Sequence, residues 1–137
     1  MGKLKALSRV PLTLAFGLAL TPVVFGAGPW IESRLFPVSR NTSIANVENS
    51  RIGTSFFVNF RKLRQCEFLG LVWYEGPVRL VVDFAPDAED APKSRPVGDQ
   101  YAGPWLVQGL HALGGSRAFA YHRCHPLWVT ITTFYEG

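Results

Sequence analysis

Residues 10–31 read VPLTLAFGLALTPVVFGAGPWI, a stretch of 22 residues without a charged side chain. An α-helix rises about 1.5 Å per residue, so this stretch reaches roughly 33 Å, enough to cross a hydrocarbon core of about 30 Å. Lys3, Lys5 and Arg9 precede it, and basic residues on one flank of an apolar helix favour the cytoplasmic side. The pattern predicts a transmembrane helix over 10–31 that serves as a signal anchor, with residues 1–9 as a cytoplasmic basic flank.

A cleaved secretory signal is the alternative for the same segment, because such signals also join a basic start to an apolar centre. Cleavage favours small residues at positions −3 and −1. A cut after Ala27 would place Phe25 at −3, and a cut after Gly26 would place Val24 there. The uncleaved anchor is therefore favoured, and the lipid bilayer is the predicted partner of Val10–Ile31.

The charge balance of the remaining chain argues against nucleic-acid binding. Three of the 14 basic residues lie before the apolar run, which leaves eleven Lys and Arg against ten Asp and Glu. A nucleic-acid-binding domain usually has a clear basic excess clustered on one face. The local cluster 61–64 is followed at once by Glu67. We predict a linker over 32–43 and one extracytoplasmic domain over 44–137, with no nucleic-acid partner.

Cys66 and Cys124 are the only two cysteines of the chain and lie 58 positions apart. An even number of cysteines in a small domain outside the cytoplasm favours a disulfide. Closing a loop of that size stabilises a domain by about 4 kcal/mol in the chain-entropy treatment. The sequence therefore predicts a Cys66–Cys124 disulfide that ties the early strands to the late ones.

The domain is predicted to be mainly β, because short runs rich in β-branched and aromatic residues alternate with Gly, Pro, Asn and Asp. The predicted strands are Ile44–Glu48, Ile52–Lys62, Cys66–Tyr74, Val78–Phe84, Pro104–Leu110, Ala118–Cys124 and Leu127–Tyr135.

About seven short strands favour an antiparallel β-sandwich that is Ig-like in general shape, with a small barrel as the alternative. The finer immunoglobulin hallmarks are missing. Trp73 follows Cys66 too closely to be the buried tryptophan of that fold, and His122 replaces the corner tyrosine before Cys124. Residues 85–100, with three prolines and four acidic side chains, are predicted to form a long exposed loop.

One segment has the composition of a partner-binding loop. Arg95, Asp99 and Gln100 are followed by Trp105, and exposed loops that combine arginine, polar side chains and tryptophan are typical of binding sites. The alternative is that Arg95 pairs with Asp99 while Trp105 fills the core.

A second cluster, His122, Cys124 and His125, with His111 upstream, has side chains that bind copper or zinc. On a strand His122 and Cys124 share a face while His125 points away, and a disulfide would remove the thiolate. We therefore predict no metal site and no cofactor, and keep a metal-binding or redox site as the alternative. Nucleophile elbows, phosphate-binding loops and CxxC motifs are absent, so no catalytic residue is predicted and the protein is not expected to be an enzyme.

Three segments, RKLRQCEF at 61–68, SRPVGDQYAGPW at 94–105 and HRCHPLW at 122–128, resemble small membrane-anchored proteins encoded in phages and prophages of proteobacteria. That group has no assigned activity, so the resemblance implies a setting and no mechanism. It implies that the anchor lies in a bacterial inner membrane and that the domain lies in the periplasm.

The sequence as a whole predicts a single-pass membrane-anchored module that binds a protein partner in the envelope. In the phage setting such a module would be an envelope factor. The alternatives are a periplasmic metal-binding or redox protein that uses His122, Cys124 and His125, and a structural subunit of a membrane complex or of a membrane-containing virion.

Overall fold

The structure is a computed structural model and describes residues 9–84 and 95–137. The predicted cytoplasmic flank up to residue 8, and residues 85–94 of the predicted loop, lie outside the described residues. Within them one helix is followed by eight strands: α1 (Arg9–Leu35), β1 (Ser39–Asn49), β2 (Gly53–Lys62), β3 (Glu67–Glu75), β4 (Val78–Leu80), β5 (Val82–Phe84), β6 (Gly98–Gln108), β7 (Ser116–Arg123) and β8 (Thr130–Glu136).

Helix α1 has the length and composition of a membrane-spanning helix over Leu12–Leu35. Its apolar side chains are turned outward rather than into the domain: Leu12 is 72% exposed and Phe16 66% exposed. A soluble helix would bury one apolar stripe against its own core. The described residues of the domain therefore leave the apolar surface of this helix uncovered.

The strands form two antiparallel four-stranded sheets, in the orders β1-β2-β6-β5 and β4-β3-β7-β8. The predicted fold class is confirmed: the chain is mainly β, with a sandwich-like body preceded by an apolar helix. The core lies between the sheets and contains two fully buried aromatic side chains, Phe56 of β2 and Trp73 of β3, whose ring centroids are 5.1 Å apart. Trp73 also donates a hydrogen bond from its indole nitrogen to the Ser116 hydroxyl, at 3.0 Å.

Small residues of β7 make room for these rings. Ser116, Ala118 and Ala120 are buried, and Ala118 lies directly opposite Trp73 in the neighbouring strand. Alternate residues of a strand face opposite sides of a sheet, so the intervening Phe119 and Tyr121 of β7 belong to the outer face.

The disulfide forms as predicted between Cys66 and Cys124, whose Cα atoms are 4.6 Å apart. Cys66 immediately precedes β3 and Cys124 immediately follows β7. These two strands are neighbours in one sheet, with Glu67 paired to Arg123. In immunoglobulin domains the disulfide joins the two sheets instead, so the likeness to that fold remains one of general shape.

The largest differences between the predicted and the observed strands are at three places. Strand β1 begins at Ser39, inside the segment 32–43 predicted as a linker, whose first residues extend α1 to Leu35. The predicted strand Val78–Phe84 is divided at Val81, where the chain passes from one sheet to the other as β4 and β5. Strand β6 begins at Gly98, six residues before the predicted start.

Candidate functional site

A buried carboxylate lies where α1 meets the β-sandwich. Glu32 is in the last turn but one of the helix, next to the exposed Ile31, yet it is only 8% exposed. Carboxylates are almost never buried to this extent unless they are paired. The surroundings of Glu32 therefore define the most constrained polar site at the helix end.

Four side chains from two loops and one strand bind Glu32. Arg64 donates to Oε1 at 2.7 Å, while the Trp128 indole nitrogen and the Thr130 hydroxyl donate to Oε2 at 2.6 and 3.0 Å. His125 Nε2 lies 3.1 Å from the same oxygen. We call Glu32, Arg64, His125, Trp128 and Thr130 the junction cluster.

The junction cluster connects the helix to two loops and to the start of β8. Arg64 lies between β2 and β3, and it also donates to the Phe36 carbonyl at 3.0 Å. His125 and Trp128 lie between β7 and β8, with their rings edge to face at 4.6 Å. Trp128 also packs against α1 on the N-terminal side of Glu32, where its ring centroid lies 6.1 Å from that of Phe25. The helix and the sandwich are therefore joined by side-chain contacts as well as by the covalent backbone between α1 and β1.

Glycine at position 28 is what allows Trp128 to lie against the helix. A Cβ atom at Gly28 would come within 2.7 Å of the Trp128 ring, whereas one at Gly26 would meet nothing within 4 Å. Close approach of a ring to a helix backbone requires such a small residue.

The junction cluster has the chemistry of a structural clamp. Both carboxylate oxygens accept hydrogen bonds from the protein, and the ion pair with Arg64 is largely screened from water. A catalytic base or metal ligand needs a lone pair turned toward substrate or ion. The bonding of Glu32 instead stabilises a fixed orientation of the helix.

Of the residues considered for a metal site, Cys124 is bound in the disulfide and cannot supply a thiolate. His122 is buried and packs edge-on against Phe68, His125 belongs to the junction cluster, and His111 is exposed. Across residues 9–84 and 95–137, no group of three or more His, Cys, Asp or Glu side chains could hold a metal ion.

A buried cationic region surrounds His122. Burial, and to a smaller extent the nearby positive charge of Lys62, lower the pKa of His122 to about 4. Lys62 is only 3% exposed and donates to the Cys66 carbonyl at 3.3 Å. Its own pKa is lowered by burial and by Arg95. Both residues therefore belong to the interior of the sandwich.

The residues of the predicted partner-binding loop are not brought together on one surface. Asp99, Gln100 and Trp105 lie on β6, and Trp105 is in the core, 5.2 Å from Phe84. Asp99 is exposed and lies 3.9 Å from Arg61 instead of pairing with Arg95. Gln100 donates to the Pro96 carbonyl at 3.1 Å, and Arg95 is half-buried beside Lys62.

A surface that is more apolar than the predicted partner-binding loop lies on the outer face of the β4-β3-β7-β8 sheet. Tyr74 and Phe119 pack edge to face there with centroids 6.1 Å apart. A shallow groove of about 430 Å³ is lined by side chains that include Leu69, Tyr121 and Arg79. We call this surface, with Leu69, Tyr74, Arg79, Phe119 and Tyr121, the outer aromatic face. Partner-binding surfaces are enriched in such aromatic residues and arginine.

Sequence reasoning identified the disulfide but missed the junction cluster. Glu32 directly follows the uncharged run 10–31, and its partners are 32 to 98 positions away. A carboxylate at the end of the apolar helix is the signal that the sequence offers. Comparison with protein-family models, with curated proteins and with solved structures finds no match.

Proposed function

We propose that the protein is a single-pass, membrane-anchored module that holds a β-sandwich at the outer surface of a bacterial inner membrane and binds a protein partner there. The observation that carries this proposal is the outward-facing apolar helix that is fixed to the domain by the junction cluster. The basic residues before α1 favour a cytoplasmic N-terminus, and the disulfide favours an oxidising space such as the periplasm.

The contacts of α1 with the domain support an anchor that is retained. The weak cleavage positions considered above fall after Gly26 and Ala27, and Trp128 packs against Phe25 and Gly28 on both sides of them. In the folded protein these residues are therefore part of the contact between the helix and the domain. Retention of the helix also keeps the sandwich in a fixed orientation toward the bilayer.

The outer aromatic face is the surface we assign to the partner. It is carried by the central strands of one sheet, so its side chains are held on a rigid support. Binding by a rigid aromatic surface costs little ordering entropy. In the phage setting implied by the resemblance, the partner would be another envelope protein and the module an envelope factor.

The membrane part of the proposal is tested by fractionation and protease treatment of cells that produce the chain with an epitope after Gly137. We expect the protein to stay in membranes after alkaline extraction, and the epitope to be digested in spheroplasts but not in intact cells. Recovery of the chain in the soluble periplasmic fraction would show that α1 is not an anchor.

The interaction part is tested by photo-crosslinking in cells. A photoreactive phenylalanine at Phe119 is expected to give discrete adducts, while the same residue at Val47, which is 45% exposed on β1, gives none. Equal labelling at both positions would contradict the assignment. A ladder of multiples of the chain would indicate the structural-subunit alternative instead.

A further inference from the structure

One loop of the sandwich lies beside the apolar part of α1, before the helix reaches its charged end. Trp128 contacts Gly28 and Phe25, which precede Glu32 by four and seven residues. At about 1.5 Å per residue, the edge of the ring that meets Gly28 therefore lies roughly 6 Å along the helix axis from the backbone of Glu32, toward the apolar run. That depth is comparable to the distance by which interfacial helices enter the boundary between headgroups and acyl chains.

The neighbours of the junction cluster are apolar and exposed. Leu127 is 59% exposed, Phe36 60% and Leu63 38%. Leu127 precedes Trp128, Leu63 precedes Arg64, and Phe36 supplies the carbonyl bound by Arg64. Exposed apolar side chains therefore flank each of the loops that hold Glu32.

The polar groups of this region are suited to a low dielectric. Glu32 has its hydrogen bonds supplied by the protein, and ionisable groups at membrane depth are generally paired in this way. Trp128 keeps its indole N–H on the carboxylate while its ring faces the apolar helix, and tryptophan is enriched at membrane interfaces for such reasons.

We propose that the loop His125–Val129 is inserted in the outer leaflet beside α1, with Leu127 and Trp128 in contact with lipid at the headgroup–acyl boundary. The proposal rests on the proposed membrane anchor and adds a second, non-helical lipid contact. The occupant is the bilayer itself, because the loop continues the lipid-facing surface of the helix.

The test uses the full chain in phosphatidylcholine vesicles with lipids brominated near the carbonyl end of the acyl chains, which quench nearby tryptophan fluorescence. Trp73 and Trp105 are in the core, at 0% and 8% exposure, and are not expected to be quenched. The Trp30→Phe protein therefore reports on Trp128, while the Trp128→Phe protein reports on Trp30 of the anchor.

We expect brominated lipid to reduce the emission of both variants. If emission falls in Trp128→Phe but not in Trp30→Phe, the proposed insertion of the loop is wrong, while the proposed anchor is still supported. No loss in either variant would overturn the anchor together with the loop.

A charge in the loop gives an independent check. In the Trp30→Phe background, Leu127→Asp is expected to abolish much of the quenching, since a carboxylate is expelled from the acyl boundary. Val47→Asp, an equally apolar-to-charged change on β1, should leave it intact. Near-UV circular dichroism verifies that each variant is folded, and unchanged quenching in folded Leu127→Asp protein contradicts the proposal.

Discussion

At the scale of single residues, Glu32 combines two properties that are rarely found together. It ends the uncharged run of α1, and it is buried against the sandwich with hydrogen bonds to both carboxylate oxygens. An isolated carboxylate in such a place would be strongly destabilising. The bonds from Arg64, Trp128 and Thr130 offset that cost, so the site stabilises the junction only as a complete set.

Glu32→Gln is therefore expected to destabilise the full chain in micelles. The amide keeps one acceptor oxygen but loses the charge opposite Arg64, and breaking a fully buried pair on one side costs about 3–5 kcal/mol. Arg64 is one-third exposed, so we expect a smaller loss of about 2 kcal/mol. This loss of unfolding free energy is measured by denaturant unfolding followed by near-UV circular dichroism. Glu48→Gln, on the exposed β1 strand, is the matched control, and equal midpoints for the two variants would refute the role of Glu32.

His122 is the second residue whose environment has a measurable consequence. Its ring is buried against Phe68, and burial together with Lys62 lowers its pKa from 6.5 to about 4. In the unfolded chain the ordinary pKa applies, so between pH 6.5 and 4 the unfolded state binds a proton that the folded state does not. Stability is therefore complete above that window and falls as the pH drops through it.

The expected loss attributable to His122 is about 3 kcal/mol between pH 7 and pH 4, since each pKa unit corresponds to about 1.4 kcal/mol. His122→Phe removes this contribution, so the unfolding free energy of the variant should depend less steeply on pH in acid. His111→Phe, at an exposed histidine, should keep the wild-type slope. Parallel slopes for wild type and His122→Phe would show that His122 does not titrate in this window.

At the scale of elements, the strands that the sequence predicted well are those that bury alternate apolar residues. Strand β1 was underestimated because it is an edge strand with polar, exposed residues at its start. Two register shifts occur in it, and Asn41 and Asn46 have φ values of 55° and 51° at these points. Bulges interrupt the alternation on which strand prediction depends. The division at Val81 is equally hidden in the sequence, because the strand-like composition of residues 78–84 continues across it.

The contact between α1 and the β7–β8 loop gives a prediction for two glycines of the same helix. Gly28→Leu places a side chain where the Trp128 ring lies, so the ring must leave its place and the junction loosens by about 1–3 kcal/mol. Gly26→Leu meets open space and should leave the loop unchanged. Hydrogen exchange of the backbone amides of residues 125 and 127–129 in micelles distinguishes the two variants. Exchange accelerated in both variants, or in neither, would mean that Trp128 is not held by the helix.

At the scale of the whole molecule, the described chain consists of an apolar helix that is long enough to span a membrane and a sandwich with its own core. The sequence indicated both parts from composition and periodicity. It did not indicate their connection, because Glu32, Arg64 and Trp128 meet only after the two sheets have placed two separate loops at one end of the sandwich. The segment from Arg95 to Trp105, predicted as a partner-binding loop, lies mostly in β6, because its residues from Gly98 onward pair with β2.

This division leads to a prediction about the sandwich without its helix. The buried core cluster runs from Phe56 to Phe134 and contains no residue of α1, so a chain of residues 38–137 is expected to fold with its disulfide intact. It loses the acceptor that holds Arg64, Trp128 and Thr130, and should be less stable than the full chain by about 2–4 kcal/mol. The side-chain hydrogen bonds between the helix and the sandwich converge on one carboxylate. Glu32→Ala in the full chain should therefore lower the free energy of unfolding by nearly the same amount as removal of the helix. Denaturant unfolding of both proteins tests this, and a truncated domain as stable as the full chain would show that the junction orients the sandwich without stabilising it.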